Sequence, residues 1–303
     1  MRVFALSDLH VDYEANRLRL EALSRHEYRS DVLIVAGDVS DDLERLEATL
    51  AALRERFGRV FFVPGNHELW VRRRECADSF EKFARLVDLC AAIDVSTRPQ
   101  HVGGDGGAWI VPLFSWYVKP EEGPDSLFIE KRGEDPSLSM WADNHFVRWP
   151  DQDGATTPAD RFLLLNEPFI GRDFDAPVIS FSHFLPRADL IRRTRGEIER
   201  LGPGPRDRHP EFNFSRVAGS AGIERQIRRL GSRVHVYGHQ HRDRTREIDG
   251  VLYVSRCLGY PKEGARLEHT PDPDLLHMVW TLASHPGEEA GSCSSAALME
   301  RSS

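Results

Sequence analysis

Short apolar runs, each followed by glycine or by a cluster of polar residues, recur along the chain. They are rich in β-branched and aromatic residues, which is typical of strands bounded by turns. The Asp249-Gly250 pair before one run has the sequence of a tight hairpin turn. We predict strands within residues 2–6, 31–37, 59–65, 108–117, 176–182, 233–238, 250–260 and 275–282.

Apolar residues at three- and four-residue steps predict helices between the first strands. Residues 41–57 and 75–92 carry such stripes, and residues 158–170 are a third helical candidate. The stripes are Leu43, Leu46, Leu50, Leu53 and Phe57 in the first segment, and Phe80, Phe83, Leu86, Val87 and Cys90 in the second. Alternating strands and helices predict a mixed sheet covered by helices, and the later strands, without long helices between them, favour a second, partly antiparallel layer.

Two regions interrupt these patterns. Residues 119–176 are rich in Pro, Asp, Gly and Trp, and residues 186–216 are first basic and then rich in Gly and Pro. Both follow predicted strands, at positions where binding loops usually lie. The small, polar residues at 284–303 predict a disordered tail.

Composition narrows the class of protein. The chain has 303 residues, 40% of them hydrophobic and 29% charged, with a formal net charge of −8. That balance suits a soluble globular protein and argues against general binding to nucleic acid or to an anionic membrane. No apolar run reaches the roughly 20 residues of a membrane span, and the N-terminal run is too short for a signal peptide. We therefore expect a cytoplasmic protein.

The cysteines give no sign of a metal or disulfide framework. None of them forms a CxxC pair or has zinc-finger spacing. We expect free thiols, as in a reducing compartment. They are Cys76, Cys90, Cys257 and Cys293.

Metal-ligating side chains follow the predicted strands at several points. Because ligands gather at the carboxyl ends of strands in an α/β sheet, segments far apart in sequence can converge there. Carboxylate, amide and imidazole groups are the ligands of Zn, Mn, Fe or Co, and residues two apart on an extended segment point the same way. Each segment alone is more often a turn, a helix cap or an ordinary histidine, and only their combination predicts a metal site. The residues are Asp8, His10, Asp38, Asn66, His67, Glu68, His183, His239 and His241.

The segments "SDLH", "GDVSD", "GNHE", "SH" and "GHQH" match, in order, the pattern D-x-H, G-D-x-x-D, G-N-H-E/D, H and G-H-x-H. In this the chain resembles the calcineurin-like metallophosphoesterases. The resemblance implies an α/β fold, a four-layer α/β/β/α sandwich of two mixed sheets flanked by helices. It also implies a single domain at residues 1–283, in which 119–176 and 186–216 are insertions on the substrate side.

The resemblance further implies two adjacent divalent metal ions, whose identity stays open among Mn, Fe, Zn, Co and Ni. Asp38 would bridge them. A hydroxide between the metals would attack a phosphomonoester or a phosphodiester, and His67 would be the general acid. The first metal would be held by Asp8, His10, Asp38 and His241, and the second by Asp38, Asn66, His183 and His239.

Three further residues gain a role from the same resemblance. Asp41 would orient His67, although an Asp at this point is equally a helix N-cap and could serve as both. Asp12 and Glu68 fit roles in orienting the ligands.

Outside the motifs, some side chains are candidates for substrate contacts. His145 and Arg148 lie in the aromatic stretch "MWADNHFVRWP". This stretch could form the floor of a substrate pocket, or it could be a loop that packs on the sandwich of sheets. Arg187 begins an Arg-rich run that could bind a second phosphate or a carboxylate of the substrate. Within this run, Arg192 and Arg193 could instead form a solvated helix face with Glu197 and Glu199. His235 alternates with Tyr237 on its strand and is expected to be packed.

The sequence predicts a hydrolase of phosphoric esters that acts on a small phosphorylated substrate, without nucleic acid or membrane partners. The alternative is a protein-binding scaffold that has lost catalysis, which the intact ligand set disfavours. The sequence carries no signal for an oligomeric state.

Overall fold

The computed structural model describes residues 1–72, 76–150, 156–202, 209–263 and 275–281. The strands are β1 Arg2–Leu6, β2 Val32–Val35, β3 Arg59–Phe62, β4 Gln100–Val102, β5 Ala108–Pro112, β6 Val178–Phe181, β7 Ser232–Tyr237, β8 Arg244–Ile248, β9 Val251–Ser255 and β10 His277–Thr281. The helices are α1 Glu14–Glu21, α2 Leu43–Arg54, α3 Ser79–Ala92, α4 Asp143–Phe146, α5 Pro158–Ile170, α6 Arg195–Leu201 and α7 Ala221–Arg229.

The strands form two mixed sheets. The first has the order β10-β1-β2-β3, in which β1, β2 and β3 are parallel and β10 is antiparallel. The second has the order β4-β5-β6-β7-β9-β8, with a parallel centre and antiparallel strands at both edges. β8 and β9 form the hairpin predicted from Asp249 and Gly250, both of which have positive φ.

The two faces of the first sheet pack against different parts of the hydrophobic core. Val3 and Ala5 of β1 pack in the cluster that also contains β5, β6 and β7 residues, so this face meets the second sheet. Phe4 and Leu6 point the other way and pack with the helical stripe of α2. On the second sheet, α7 packs on β7 and on α5. The predicted sandwich of two mixed sheets with flanking helices is confirmed.

The predicted helices are present, with α2 inside 41–57, α3 inside 75–92 and α5 at 158–170. Of the run at 108–117, only Ala108–Pro112 is strand, and the residues after Pro112 are buried without pairing as a named strand. Among the described residues, Cys76, Cys90 and Cys257 are buried free thiols, while Cys293 and the predicted tail at 284–303 lie outside them. No helix in the described ranges has the length and apolarity to cross a membrane.

Candidate metal centre

The predicted ligands lie on loops that leave the carboxyl ends of strands from both sheets. Asp8 and His10 follow β1, Asp38 follows β2, and His239 and His241 follow β7. All five have positive φ, between 41° and 71°, a backbone region that non-glycine residues rarely occupy. Such strain costs about 1–3 kcal/mol per residue and is typical of functional sites, so these turns are held by the surrounding structure.

The first group of side chains is Asp8, His10, Asp38 and His241, whose ligand atoms lie within 4.8 Å of one another. The Nε2 atoms of His10 and His241 are 2.9 Å apart. His241 Nε2 is also 3.5 Å from Asp8 Oδ1. The first three residues are buried and His241 is partly buried.

The second group is Asp38, His183 and His239, also within 4.8 Å of one another. His183 Nε2 lies 3.4 Å from Asp38 Oδ2 and 3.2 Å from His239 Nδ1. Asn66 joins this group, because its Oδ1 is 3.3 Å from His183 Nε2. Asp38 is common to both groups.

The outer nitrogens of three of these histidines have partners that fix the rings. His183 Nδ1 lies 2.8 Å from the Ala36 carbonyl oxygen, and His239 Nε2 lies 3.0 Å from that of Val217. His241 Nδ1 lies 2.8 Å from Glu263 Oε2. When each of these nitrogens donates its N–H, the other nitrogen presents a lone pair to the centre. This is the usual arrangement around a metal-ligating histidine, and the residues fit divalent metals.

Close backbone approach makes two of the motif glycines necessary. A Cβ on Gly65 would lie 2.2 Å from Asp38 Oδ1, and one on Gly37 would lie 2.6 Å from His183 Nδ1. Gly37 also has φ +82°, where a side chain is strained. Any other residue at these positions would displace the ligands.

Glu68 holds the second and third motif loops together. Its Oε1 accepts hydrogen bonds from the backbone N–H groups of Val39 and Ser40, and its Oε2 accepts from those of Asp38 and Gly65, at 2.6–3.1 Å. Burial raises the pKa of Glu68 to about 7, and the backbone N–H donors oppose this rise. The predicted contact with a ligand is therefore made through the backbone of Asp38.

His67 lies at the edge of the centre. Its Nε2 is 3.9 Å from Asp38 Oδ2 and 3.3 Å from the Tyr260 hydroxyl. Its ring packs on Trp70 with centroids 3.7 Å apart. Burial lowers the pKa of His67 to about 4, so the ring is neutral at pH 7 in the absence of an added anion.

An open cavity of about 220 Å³ lies over the centre. Trp141 and Ala142, from 119–176, and Phe214, from 186–216, line it, so both interrupting regions reach this cavity. The complete lining is Asp38, Asn66, His67, Trp70, Trp141, Ala142, Phe214, His239, Gln240, His241, Tyr260 and Glu263.

A family model described as calcineurin-like phosphoesterase matches residues 1–243. The chain belongs to this family. As a phosphoesterase it is a hydrolase, as the sequence predicted.

This phosphoesterase is similar to PptH of Mycobacterium tuberculosis both in sequence and in structure. It is 29% identical over 292 residues to "[Acyl-carrier-protein] phosphodiesterase PptH" of Mycobacterium tuberculosis, a match that covers 87% of this chain and 79% of that protein. The crystal structure of phosphopantetheinyl hydrolase (PptH) from Mycobacterium tuberculosis superposes with a TM-score of 0.69 at 25% identity, covering 96% of this chain and 98% of the other.

Asp41 and Asp12 lie on the motif loops of this phosphoesterase and contact arginine side chains. The Asp41 carboxylate lies 3.3 Å from Arg72 Nε, and Arg72 lies over the Trp70 ring that packs on His67. The N-cap of α2 is the neighbouring Asp42, which corrects the cap alternative for Asp41. Asp12 accepts hydrogen bonds from Ser40 Oγ and from an Arg45 guanidinium N–H, at 2.9 and 2.8 Å.

Three predicted substrate candidates do not line the cavity. His145 is exposed, with its ring 2.9 Å from the Ser139 carbonyl oxygen, and Arg148 is exposed as well. Arg187 forms ion pairs with Asp189 and Glu224, at 2.8 and 3.0 Å. These contacts favour structural roles for His145 and Arg187.

Sequence reasoning did not single out several residues that surround the centre. Tyr260 and Glu263 follow the end of β9, where the rule applied to the other strands could have found them. Asp143, in the stretch that suggested His145, accepts hydrogen bonds from Asn66 and Trp70. No periodic pattern marks such a residue.

Proposed function

We propose that this phosphoesterase is a phosphodiesterase that depends on two divalent metal ions and removes the phosphopantetheinyl group from an acyl carrier protein. The observation that carries the reaction is the pair of ligand groups that share Asp38 beneath one open cavity. The similarity to PptH, which covers 96% of this chain in the structural comparison, supports a phosphopantetheinylated carrier protein as the substrate.

In this proposal each metal has four ligands from the chain. One is held by Asp8, His10, Asp38 and His241, and the other by Asp38, Asn66, His183 and His239. Oxygen and imidazole donors without a thiolate suit Mn, Fe, Zn, Co or Ni. When bound, the two cations would supply a water of lowered pKa as the nucleophile and stabilise charge on the phosphoryl oxygens.

His67 is the proposed general acid. Cleavage of the P–O bond to the carrier protein leaves an alkoxide, a poor leaving group that needs a proton. His67 Nε2 lies within 3.9 Å of Asp38 Oδ2, so a phosphate held by the Asp38 centre would lie beside it. The negative charge of that phosphate would favour the protonated ring and offset the effect of burial on its pKa.

Asp41 is proposed to support His67 indirectly. The described contacts lead from its carboxylate to Arg72, from Arg72 to the Trp70 ring, and from Trp70 to His67. Glu68 and Asp12 would keep the loop of Asp38 in place through their contacts with residues 38–40.

The test is a comparison of esters on one metal-loaded preparation. We expect bis(p-nitrophenyl) phosphate to be cleaved faster than p-nitrophenyl phosphate, and a phosphopantetheinylated carrier protein to lose its prosthetic group, as measured by intact mass. Chelator and Asp38→Asn should each abolish all three reactions.

Cleavage of the diester without change in the carrier protein would contradict the proposed substrate and leave the reaction standing. Cleavage of none of the esters by protein that holds metal would contradict the reaction itself. That outcome would favour the scaffold alternative, which the complete ligand set disfavours.

A further inference from the structure

Asp143 connects the region 119–176 to the candidate metal centre. It begins the short helix α4, and its side chain is 2% exposed. Its Oδ1 accepts two hydrogen bonds, from Asn66 Nδ2 at 2.8 Å and from Trp70 Nε1 at 2.7 Å. One carboxylate oxygen therefore contacts both a candidate metal ligand and the residue beneath the candidate general acid.

The first bond decides which end of the Asn66 amide faces the centre. A carboxylate oxygen only accepts hydrogen bonds, so the amide NH₂ must point to Asp143. Asn66 Oδ1 then points toward His183 Nε2, 3.3 Å away, where the second ligand group lies. A flipped amide would set two oxygens against each other and turn N–H groups, which cannot bind a cation, toward the centre.

The second bond fixes the surface on which His67 rests. Trp70 is 6% exposed, and Asp143 is the acceptor that the structure gives to its indole N–H. His67 packs on this indole at 3.7 Å between ring centroids. Without the acceptor, a buried N–H would lose its partner, and the indole would shift to find water or another acceptor.

We propose that Asp143 is a positioning residue that sets the metal-facing oxygen of Asn66 and the placement of His67 together. The inference rests on the proposed function, since it concerns the same centre. This proposal gives the region 119–176 a defined role. Through α4, residues that line the cavity, such as Trp141, are connected both to the metal ligand Asn66 and to the general acid His67.

The first test measures metal binding without turnover. Apo-protein is titrated with Mn²⁺ by calorimetry, as wild type, Asp143→Ala, Asp143→Asn and Asp143→Leu. We expect one of the two Mn²⁺ ions, the one at the Asn66 group, to bind about 10–100-fold more weakly in the Ala and Leu variants. Asp143→Asn should be affected least, because an amide oxygen still accepts both hydrogen bonds.

The second test asks whether proton donation is impaired as well. Methyl p-nitrophenyl phosphate and methyl phenyl phosphate differ only in how much the leaving group needs a proton. With saturating Mn²⁺, we expect Asp143→Ala to lower kcat for the phenyl ester about tenfold more than for the p-nitrophenyl ester. A role limited to stability would lower both rates by the same factor.

Asn144→Ala is the matched control. Asn144 is the exposed neighbour of Asp143 on α4, and its side chain contacts Leu138 and Lys119 rather than the centre. It should leave the affinities for both Mn²⁺ ions and the ratio of ester rates unchanged, which separates loosening of α4 from loss of the acceptor.

The outcomes distinguish this inference from the proposed function. Wild-type protein that binds no metal and cleaves no ester contradicts the proposed function. If the wild type is active and folded Asp143→Ala or Asp143→Leu keeps its metal affinity and its ratio of rates, the positioning role is wrong. The Leu variant fills most of the space of the carboxylate, so it provides the test if the Ala variant does not fold.

Discussion

The histidines of the centre differ in what holds their outer nitrogens. His183 and His239 contact backbone carbonyls, whereas His241 contacts the carboxylate of Glu263. A backbone carbonyl cannot be removed by substitution, but a carboxylate can. Glu263 also accepts a hydrogen bond from the backbone N–H of Tyr260, so it connects His241 with the wall of the cavity.

Replacing Glu263 therefore tests the first ligand group. Glu263→Ala leaves His241 Nδ1 without its acceptor, and we expect the affinity for one metal to fall about 10–100-fold. Mn²⁺ titration of the apo-protein measures it. The exposed neighbour Lys262 supplies the control Lys262→Ala, and equal affinities in the two variants would contradict a role for Glu263.

Replacing Tyr260 tests how the candidate general acid His67 is aligned, and the expected loss of kcat is small. Tyr260→Phe removes the hydroxyl that lies 3.3 Å from His67 Nε2 and keeps the ring. If the hydroxyl helps to align His67, kcat should fall about 3–10-fold for a phosphodiester with an alcohol leaving group and less for p-nitrophenyl esters. His67→Ala is the reference variant. It should also lower kcat more for the alcohol leaving group than for p-nitrophenyl esters, but by about 10²-fold or more. An equal loss on both esters in Tyr260→Phe would assign the hydroxyl to substrate binding.

At the scale of elements, the loops after β2 and β3 act as one unit. Glu68 accepts from backbone N–H groups of both, and Lys82 on α3 donates to the carbonyl oxygens of Asp41 and Trp70, each at 2.6 Å. Glu68 and Lys82, which are both fully buried, thus fix the loops that carry Asp38 and Asn66.

Substitution of Glu68 should therefore affect folding and metal binding together. In Glu68→Gln an amide NH₂ would face backbone N–H groups, and we expect the free energy of unfolding to fall by about 2–4 kcal/mol. Urea denaturation measures it. Asp88→Asn removes an exposed carboxylate on α3 and should change this free energy by less than about 0.5 kcal/mol. Similar values for both variants would mean that Glu68 does not hold the loops.

The sequence predicts these loops better than it predicts their surroundings. Motif residues such as Asp38 and His239 follow recognisable strands, and strands are set by local pattern. The pairing of β10 with β1 joins residues 277–281 to residues 2–5, and no local pattern specifies such a contact. Asp143 is similar, because its role depends on where α4 packs rather than on its neighbours in sequence.

Some helices were missed for a related reason. α1 has few apolar positions, with only Asn16 and Leu20 buried, so it shows no stripe. α7 is short, and its buried residues include Gly222 and Gln226 besides Ile223 and Ile227. In α1, tertiary packing rather than apolar periodicity decides the structure. α7 does have apolar residues at helical spacing, Ile223, Ile227 and Leu230, so this helix could have been predicted from the sequence.

At the scale of the whole molecule, His235 contributes to how stability depends on pH. It is fully buried on β7, and its ring nitrogens lie 2.9 and 3.0 Å from the hydroxyls of Ser180 and Ser182. Burial lowers its pKa from 6.5 to about 3. The unfolded chain therefore binds a proton near pH 6.5 that the folded chain excludes until about pH 3.

This difference makes the free energy of unfolding rise with pH between about 3 and 6.5, by at most about 1.4 kcal/mol per pH unit, and adds no slope above that range. His235→Gln keeps polar contacts for Ser180 and Ser182 without titrating. Urea denaturation at pH 4.5 and pH 7.5 should show that the variant loses less stability on acidification than the wild type. Parallel losses would contradict the assignment.

The measurement that tests the central claim most directly is the number of metal ions bound per chain. We predict two Mn²⁺ for the wild type by elemental analysis and titration. His241→Ala and His239→Ala, each of which damages one ligand group, should retain about one tightly bound ion, and Asp38→Asn should weaken both. A wild type that binds no ion, or single variants that still bind two with unchanged affinity, would contradict a binuclear centre built on Asp38.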